Sequence, residues 1–221
     1  KPKDRLRAEM ERGGKSPAYS KSTLFQLRDD LCAMMANHEY GVLGINARDV
    51  TAATLRARGE VLALVAALRS LGGPWSRMRV VATATQIGVR EGRPVRGRYV
   101  VTADALREGR RHEDAVCRVT FGADVHATDP TKGKGIGRSP FRTKPYDIPL
   151  RVLISADADN LLMAGRRISD DFIAHSSHRV TGNGVRLGEV AGALAALAAL
   201  RGVAPRDVPW NEAGARLGAA G

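Results

Sequence analysis

His175 and Arg179 are the residues whose types and spacing most readily suggest chemistry. They lie four apart, so a helix would bring both to one face. An imidazole there can pass a proton while a guanidinium fixes a carboxylate or polarises a carbonyl. The competing reading is a capping histidine beside a surface arginine. Arg90 ends a segment that reads as a strand, with Glu91 next to it. Neighbours on a strand face opposite sides, so these two do not form a simple ion pair. Arg90 is therefore a candidate either for substrate binding or for pairing with another carboxylate. His126, where a long loop starts, is a third catalytic candidate. Tyr146, just before a strand, could hydrogen-bond a substrate or form a core edge. His38, His112 and His178 read as solvent residues. Cys32 and Cys117 lie in unrelated segments, outside any C-x-x-C or metal-ligand spacing, and read as buried free thiols of a reducing cytoplasm.

These residues need elements to position them. Lys1 to Pro17 is basic and Gly/Ser/Pro-containing, and reads as a loose lead-in. Leu24, Leu27, Leu31 and Met34/Met35 follow at helical spacing. A strong helix comes next, with Asp49 and Thr51 as capping oxygens and Val61, Leu64, Val65, Leu68 and Leu71 in register. Gly72-Gly73-Pro74 stops it. The run from Arg79 to Val89 is rich in Val, Thr and Ile and predicts a strand, as does Arg98 to Val101. Thr102 can cap one helical turn running to Gly109. Residues 122 to 145 lack periodicity and read as a long loop, a feature that tends to be functional. A strand is expected from Ile148 to Ser155, a turn over Asp157 to Asn160, and a buried strand over Leu161 to Ala164. A helix from about Val185 to Leu200 follows, and a short one lies between Pro205 and Leu217. Gly188 and Gly192, four apart on the long helix, would let a backbone or flat ligand approach closely.

Composition narrows the function classes. A net charge of +12 invites a nucleic-acid reading, yet the arginines are spread along the whole chain and aromatics make up only 5%. Nucleic acid is therefore not expected as a partner. The apolar run Val190 to Leu200 is short for a membrane span, and no secretory signal opens the chain, so a cytoplasmic location without a membrane partner is expected. The first residue is Lys1, and the chain reads as beginning partway through a longer protein.

A strand ending in Gly165-Arg166, a polar connection and a helix rich in small residues can hold an anionic group. Free backbone N–H groups and the positive helix end favour negative charge. This segment is also where the chain becomes recognisable. Asn160 to Ser169 reads NLLMAGRRIS; then come Ala174-His175, Arg179-Val180 and Gly188-Glu189-Val190-Ala191-Gly192. In order and in kind these resemble the closing segment of the FAD-dependent oxidoreductase family, NLLVAGRxIS…AH…RV…GQAAG. Upstream, Gln86 to Glu91 is similar to its QIGVRE strand and Gly97 to Val100 to its GxYxLT continuation. Asp124-Val125-His126 resembles its D-I-H step, and Tyr146 to Pro149 its YDIPYR element. The similarity runs from about Asn37 to Val208. Glu189 stands where the family has Gln, and Thr181 to Gly184 form a Gly-rich stretch where the family is more apolar.

The resemblance implies an α/β fold, α+β in part. It would be the C-terminal portion of a Rossmann-like FAD-binding domain with a mainly antiparallel substrate domain. In that picture residues 1–48 are a poorly defined lead-in, 49–150 belong to the substrate domain, and 151–221 close the FAD-binding domain. The cofactor implied is non-covalent FAD, contacted by Ala164, Gly165, Arg166, Gly188, Ala191 and Gly192. The end of the helix at Gly188 to Gly192 would lie under the isoalloxazine ring. His175, Arg179 and His126 are the expected catalytic residues, Arg90 and Tyr146 the expected substrate residues, and no metal is expected. The function implied is hydride transfer between a small organic substrate and flavin N5. The family's N-terminal G-x-G-x-x-G turn has no counterpart here. Gly133-Lys134-Gly135-Ile136-Gly137 follows no strand and opens no helix. The missing half would come from elsewhere, or the chain pairs with a second copy. The rival reading is a non-catalytic fragment or degenerate homologue acting as a binding or assembly module.

Overall fold

The computed structural model describes residues 2–129, 131, 137 and 139–216, with the backbone alone for 215 and 216. Most of the Gly133 to Gly137 run falls outside the described residues. The chain divides into two compact units. The first comprises Lys1–Val89 with His126–Gly137, the second Arg90–Val125 with Arg138–Gly221. These boundaries differ from the division at 48/49 and 150/151 read from the sequence.

In the first unit, α1 (Pro2–Arg12) is a formed helix where a loose lead-in was expected. Leu6 and Met10, four apart, put their side chains into a small core with Leu64 and Leu68 of α2 (Ala47–Ser70). Gly13 ends α1 against α2 so closely that a Cβ there would sit 2.2 Å from the Ala67 carbonyl oxygen. The expected helix around Leu24 to Met35 is instead a hairpin of β1 (Thr23–Arg28) and β2 (Leu31–Met35), antiparallel, with Thr23 opposite Met35 and Gln26 opposite Cys32. The tight Asp29-Asp30 turn reverses the chain and lets the two segments pair, so the apolar matches at helical spacing do not report a helix. α2 begins earlier than expected. Its cap is Asn46, whose side chain accepts from the Arg48 nitrogen, while Thr51 bonds back to the Ala47 carbonyl inside the helix. It stops as anticipated, with Gly72 and Gly73 at positive φ before Pro74.

No strand forms over residues 79–89. Val, Thr and Ile favour a pleated surface, but here no neighbouring strand pairs with them and Val81 is 71% exposed. The segment is instead held by side chains. Arg58 donates to the carbonyls of Ala84 and Thr85, and the Thr54 hydroxyl accepts from the Ile87 nitrogen.

In the second unit, β3 (Ala115–Val119) pairs antiparallel with β4 (Tyr146–Pro149), placing Val119 opposite Tyr146 and Cys117 opposite Ile148. The strand expected to run on to Ser155 turns into a 3-10 turn over Leu150–Val152. Isolated bridges then join Gly97 to Ser155, Ile154 to Leu162 and, in parallel sense, Val101 to Asp170. Leu161, expected to be buried, is 45% exposed, whereas Met163 enters the core. Among the described residues the sheets are two-stranded and antiparallel, so the architecture is mixed helix with small antiparallel sheets. The short helix α3 (Ala103–Glu108) forms as expected and ends on left-handed Gly109. Two helices follow, α4 (Phe172–His178) and α5 (Thr181–Arg201), then α6 (Trp210–Arg216). α5 buries Leu187, Val190, Leu194, Leu197 and Ala198 in this core, and Gly202 caps it at φ 65°. By length and composition α5 could also cross a membrane, with a mean hydropathy of 1.2.

Candidate functional site

Within the second unit, the segment from Ala164 to Asp171 is built by backbone pairing. Val95 donates to the Arg167 carbonyl, Val101 to that of Ser169, and Asp171 to that of Val101. Residues 95–101 therefore lie alongside 167–171. Gly165 takes φ 61°, a left-handed conformation that a side chain would strain, and opens a 3-10 turn over Gly165–Arg167. That turn abuts the first turn of α5: a Cβ on Gly184 would sit 3.9 Å from the Gly165 Cα. The N-cap of α5 is Val180, whose side chain makes no capping hydrogen bond. Its leading N–H groups thus have no intrahelical partner, and the positive end of the helix lies next to the glycine turn.

α5 starts at Thr181, so Gly188 and Gly192 lie inside the helix and not at its end, as the family resemblance had implied. Both are on its open face, with nothing within 4 Å of an added Cβ. Ala191 is half-buried between them, and Glu189 pairs with Arg186 at 3.4 Å on the same surface. A glycine turn, an uncapped helix start and an open stripe of small residues suit a phosphate or ribityl chain with a flat ring.

α4 follows the turn. Asp171 caps it by accepting from the Ala174 nitrogen at 2.8 Å, and its other oxygen accepts from the Ala103 nitrogen at 2.6 Å. One carboxylate thus serves the starts of two helices. Thr102, the expected cap of α3, occupies the N-cap position without a side-chain capping hydrogen bond. His175 and His178, three apart, both turn back onto Asp170. His175 Nδ1 lies 3.0 Å and His178 Nε2 2.6 Å from the same oxygen, Oδ2. His175 Nε2 lies 3.0 Å from the Arg90 carbonyl. With a carboxylate at one nitrogen and a carbonyl at the other, His175 satisfies both contacts only as the doubly protonated imidazolium. Burial opposes that charge, but Asp170 and the Arg90 carbonyl outweigh it and raise the pKa of His175. Burial likewise pushes Asp170 up, but the two imidazoles together hold it below the usual carboxylate range. His178, expected to face solvent, is fully buried, and its Nδ1 has no partner among the described residues.

Arg179 follows α4 directly and its side chain is 7% exposed. It donates to the Asp124 carbonyl at 2.8 Å and lies 3.4 Å from Glu91. Burial, and then the neighbouring Arg90, pull its pKa below the ordinary arginine value. The Arg90 guanidinium lies 3.5 Å from the Asp124 carboxylate. Arg90 and Glu91 thus take different partners in one cluster, although no strand forms here and the alternation expected of one does not apply. The structure brings His175, Arg179 and Arg90 together and places two other candidates elsewhere. His126 belongs to the first unit, where its ring lies 5.4 Å from that of His38 and 6.3 Å from that of Tyr19. Tyr146 is fully buried on β4; burial drives its phenol pKa up, against a smaller opposing pull from Ser177. It therefore sits in the core rather than on a substrate-facing surface. His112 is half-buried, edge-on to Tyr99 at 5.1 Å.

Asp170 and Asp171 were not singled out from the sequence. Asp171 carried a legible signal, an acidic residue just ahead of a helical run. The His-x-x-His spacing on one short helix was the signal for His178.

The family model for FAD dependent oxidoreductase matches residues 1–217, well beyond the similarity apparent from the motifs. No curated protein and no solved structure matches the chain. With almost its whole length inside that model, the chain belongs to the FAD-dependent oxidoreductase family, whose cofactor is FAD.

Proposed function

We propose that this chain carries the flavin-contacting end of an FAD-dependent oxidoreductase that transfers hydride between a small organic substrate and flavin N5. The observation that carries this reading is the abutment of the Gly165 turn on the uncapped start of α5, beside the open stripe of Gly188 and Gly192. Gly165 and Arg166 would hold the ribityl and phosphate portion, with the first N–H groups of α5 as further donors. Gly188, Ala191 and Gly192 would leave room for a flat ring. When bound, FAD supplies the hydride acceptor or donor at N5.

The protein's own groups supply charge and orientation. Arg179, buried and held by Glu91 and the Asp124 carbonyl, presents a fixed cation to an anionic substrate group. Arg90, about half exposed, is the second cation of that cluster. His175 has both ring nitrogens engaged, so its contribution is a fixed positive charge and the anchoring of the Arg90 backbone, not direct proton transfer in this conformation.

Leucine at Gly188 or Gly192 tests the reading. A side chain at either position meets open space, and Leu favours helix over Gly, so folding stability should not fall. Flavin affinity, read by quenching of flavin fluorescence, should weaken by about tenfold or more. Leucine variants that bind flavin as tightly as the parent would remove this face from the cofactor site.

A further inference from the structure

We propose that Asp170, His175 and His178 form a binding site for a divalent transition metal ion of the zinc class. The inference is independent of the flavin reading, because it rests on donor geometry alone. Asp170 Oδ2, His175 Nδ1 and His178 Nε2 lie within 4.8 Å of one another, and the two contacts to the shared oxygen are 3.0 and 2.6 Å. Around a tetrahedral zinc with bonds of about 2.0–2.1 Å, neighbouring donors stand about 3.3 Å apart. To close on an ion, His175 Nδ1 and His178 Nε2 each move slightly outward from the shared oxygen, and the separation between the two nitrogens, at most 4.8 Å, settles at about 3.3 Å. Two imidazoles with one carboxylate are a donor set that suits zinc, nickel or cobalt better than calcium or magnesium.

The surroundings orient these donors. A ligating histidine normally donates its other ring N–H to a carbonyl or carboxylate, which fixes its tautomer. His175 already does so through Nε2 and the Arg90 carbonyl. His178 is fully buried on α4, three residues on, and Asp170 lies just ahead of the Asp171 cap, so the local fold fixes all three positions. On binding, the ion takes the place of the hydrogens between the imidazoles and the shared oxygen. His175 releases its Nδ1 proton to solvent. His178 moves its proton from Nε2 to Nδ1, the nitrogen that has no partner among the described residues. The carboxylate and the 2+ ion leave a net +1, and the nearby Arg179 and Arg90 oppose that charge and limit the affinity. Three protein ligands leave the fourth position of a tetrahedron for water.

The test is cobalt(II) titration of the 221-residue chain after removal of bound metal with a chelator. The proposal expects a visible ligand-field band that saturates at one cobalt per chain and is displaced by zinc. Asp170→Asn and His178→Gln should abolish it, while His38→Gln, in the other unit, should keep it. The fold of each variant is checked by circular dichroism. Should either site variant fail to fold, imidazole nitrogen resonances of the unsubstituted protein decide the matter. Zinc should then shift two of the five histidines, with the remaining three unmoved. Absence of saturable cobalt uptake, uptake unchanged in the folded site variants, or zinc shifts at other histidines would each overturn the site and leave the cluster as a hydrogen-bonded triad.

Discussion

Asp171 holds the starts of α3 and α4 with one carboxylate, so its removal leaves two helix N–H groups unpaired at once. Asp171→Ala should therefore lower stability by about 1–3 kcal/mol, read from denaturant melts, and Asp171→Asn should recover much of the loss because Asn also caps helices well. The cysteines give a second prediction at this scale. Cys32 is exposed, whereas Cys117 is buried and its sulfur lies 3.6 Å from the Asn183 side chain. Burial raises the Cys117 thiol against a weaker opposing pull from Arg186, so at mildly alkaline pH it stays protonated. Because the thiolate is the nucleophile, iodoacetamide should label Cys32 in the native protein and spare Cys117 until the chain is unfolded, as mass spectrometry of the peptides will show. Residue type and spacing made His175 and Arg179 legible as a pair. They did not reveal that Asp170 would serve two histidines, because that depends on a turn whose shape is set by pairing with residues 95–101. His178 was misread for the same reason: burial is a property of the packed unit, and no local pattern encodes it.

Helices with strong periodicity and good punctuation were the elements most legible in advance. α2 and α5 carry buried stripes at helical spacing and end at glycines in positive φ, and both form nearly as expected. The start of α5 was placed late because Thr181 to Gly184 looks like a loop by propensity, yet packing of Leu187 and the turns after it carries the helix back to Thr181. The hairpin and the unpaired segment over residues 79–89 were misread in opposite directions. Strand formation depends on a partner edge, which composition does not report. α1 was missed because its apolar residues on the buried side are only Leu6 and Met10, too sparse a pattern to stand out in a charged segment. Its docking onto α2 depends on Gly13, where a Cβ would meet the Ala67 carbonyl at 2.2 Å. Gly13→Ala should force the helices apart and cost about 1–3 kcal/mol, seen as a lower melting temperature. An unchanged melting temperature would show that α1 is not held against α2 in this way.

For the molecule as a whole, the motifs identified the family and the family model extends that membership over residues 1–217. The family's cofactor is FAD, and the second unit holds the turn and helix through which we propose it is contacted. The resemblance implied the C-terminal portion of a Rossmann-like domain with a mainly antiparallel substrate domain; among the described residues the architecture is mixed helix with small antiparallel sheets. The motifs that carry the resemblance fall on several kinds of element: Tyr146 to Pro149 is β4, Gly165-Arg166 a 3-10 turn, Ala174-His175 part of α4 and Gly188 to Gly192 the interior of α5. The most direct measurement of the central claim is an absorbance spectrum of this chain after incubation with FAD and removal of free flavin by desalting. Flavin bands should remain with the protein and be lost on unfolding. A folded chain that emerges colourless would contradict that claim.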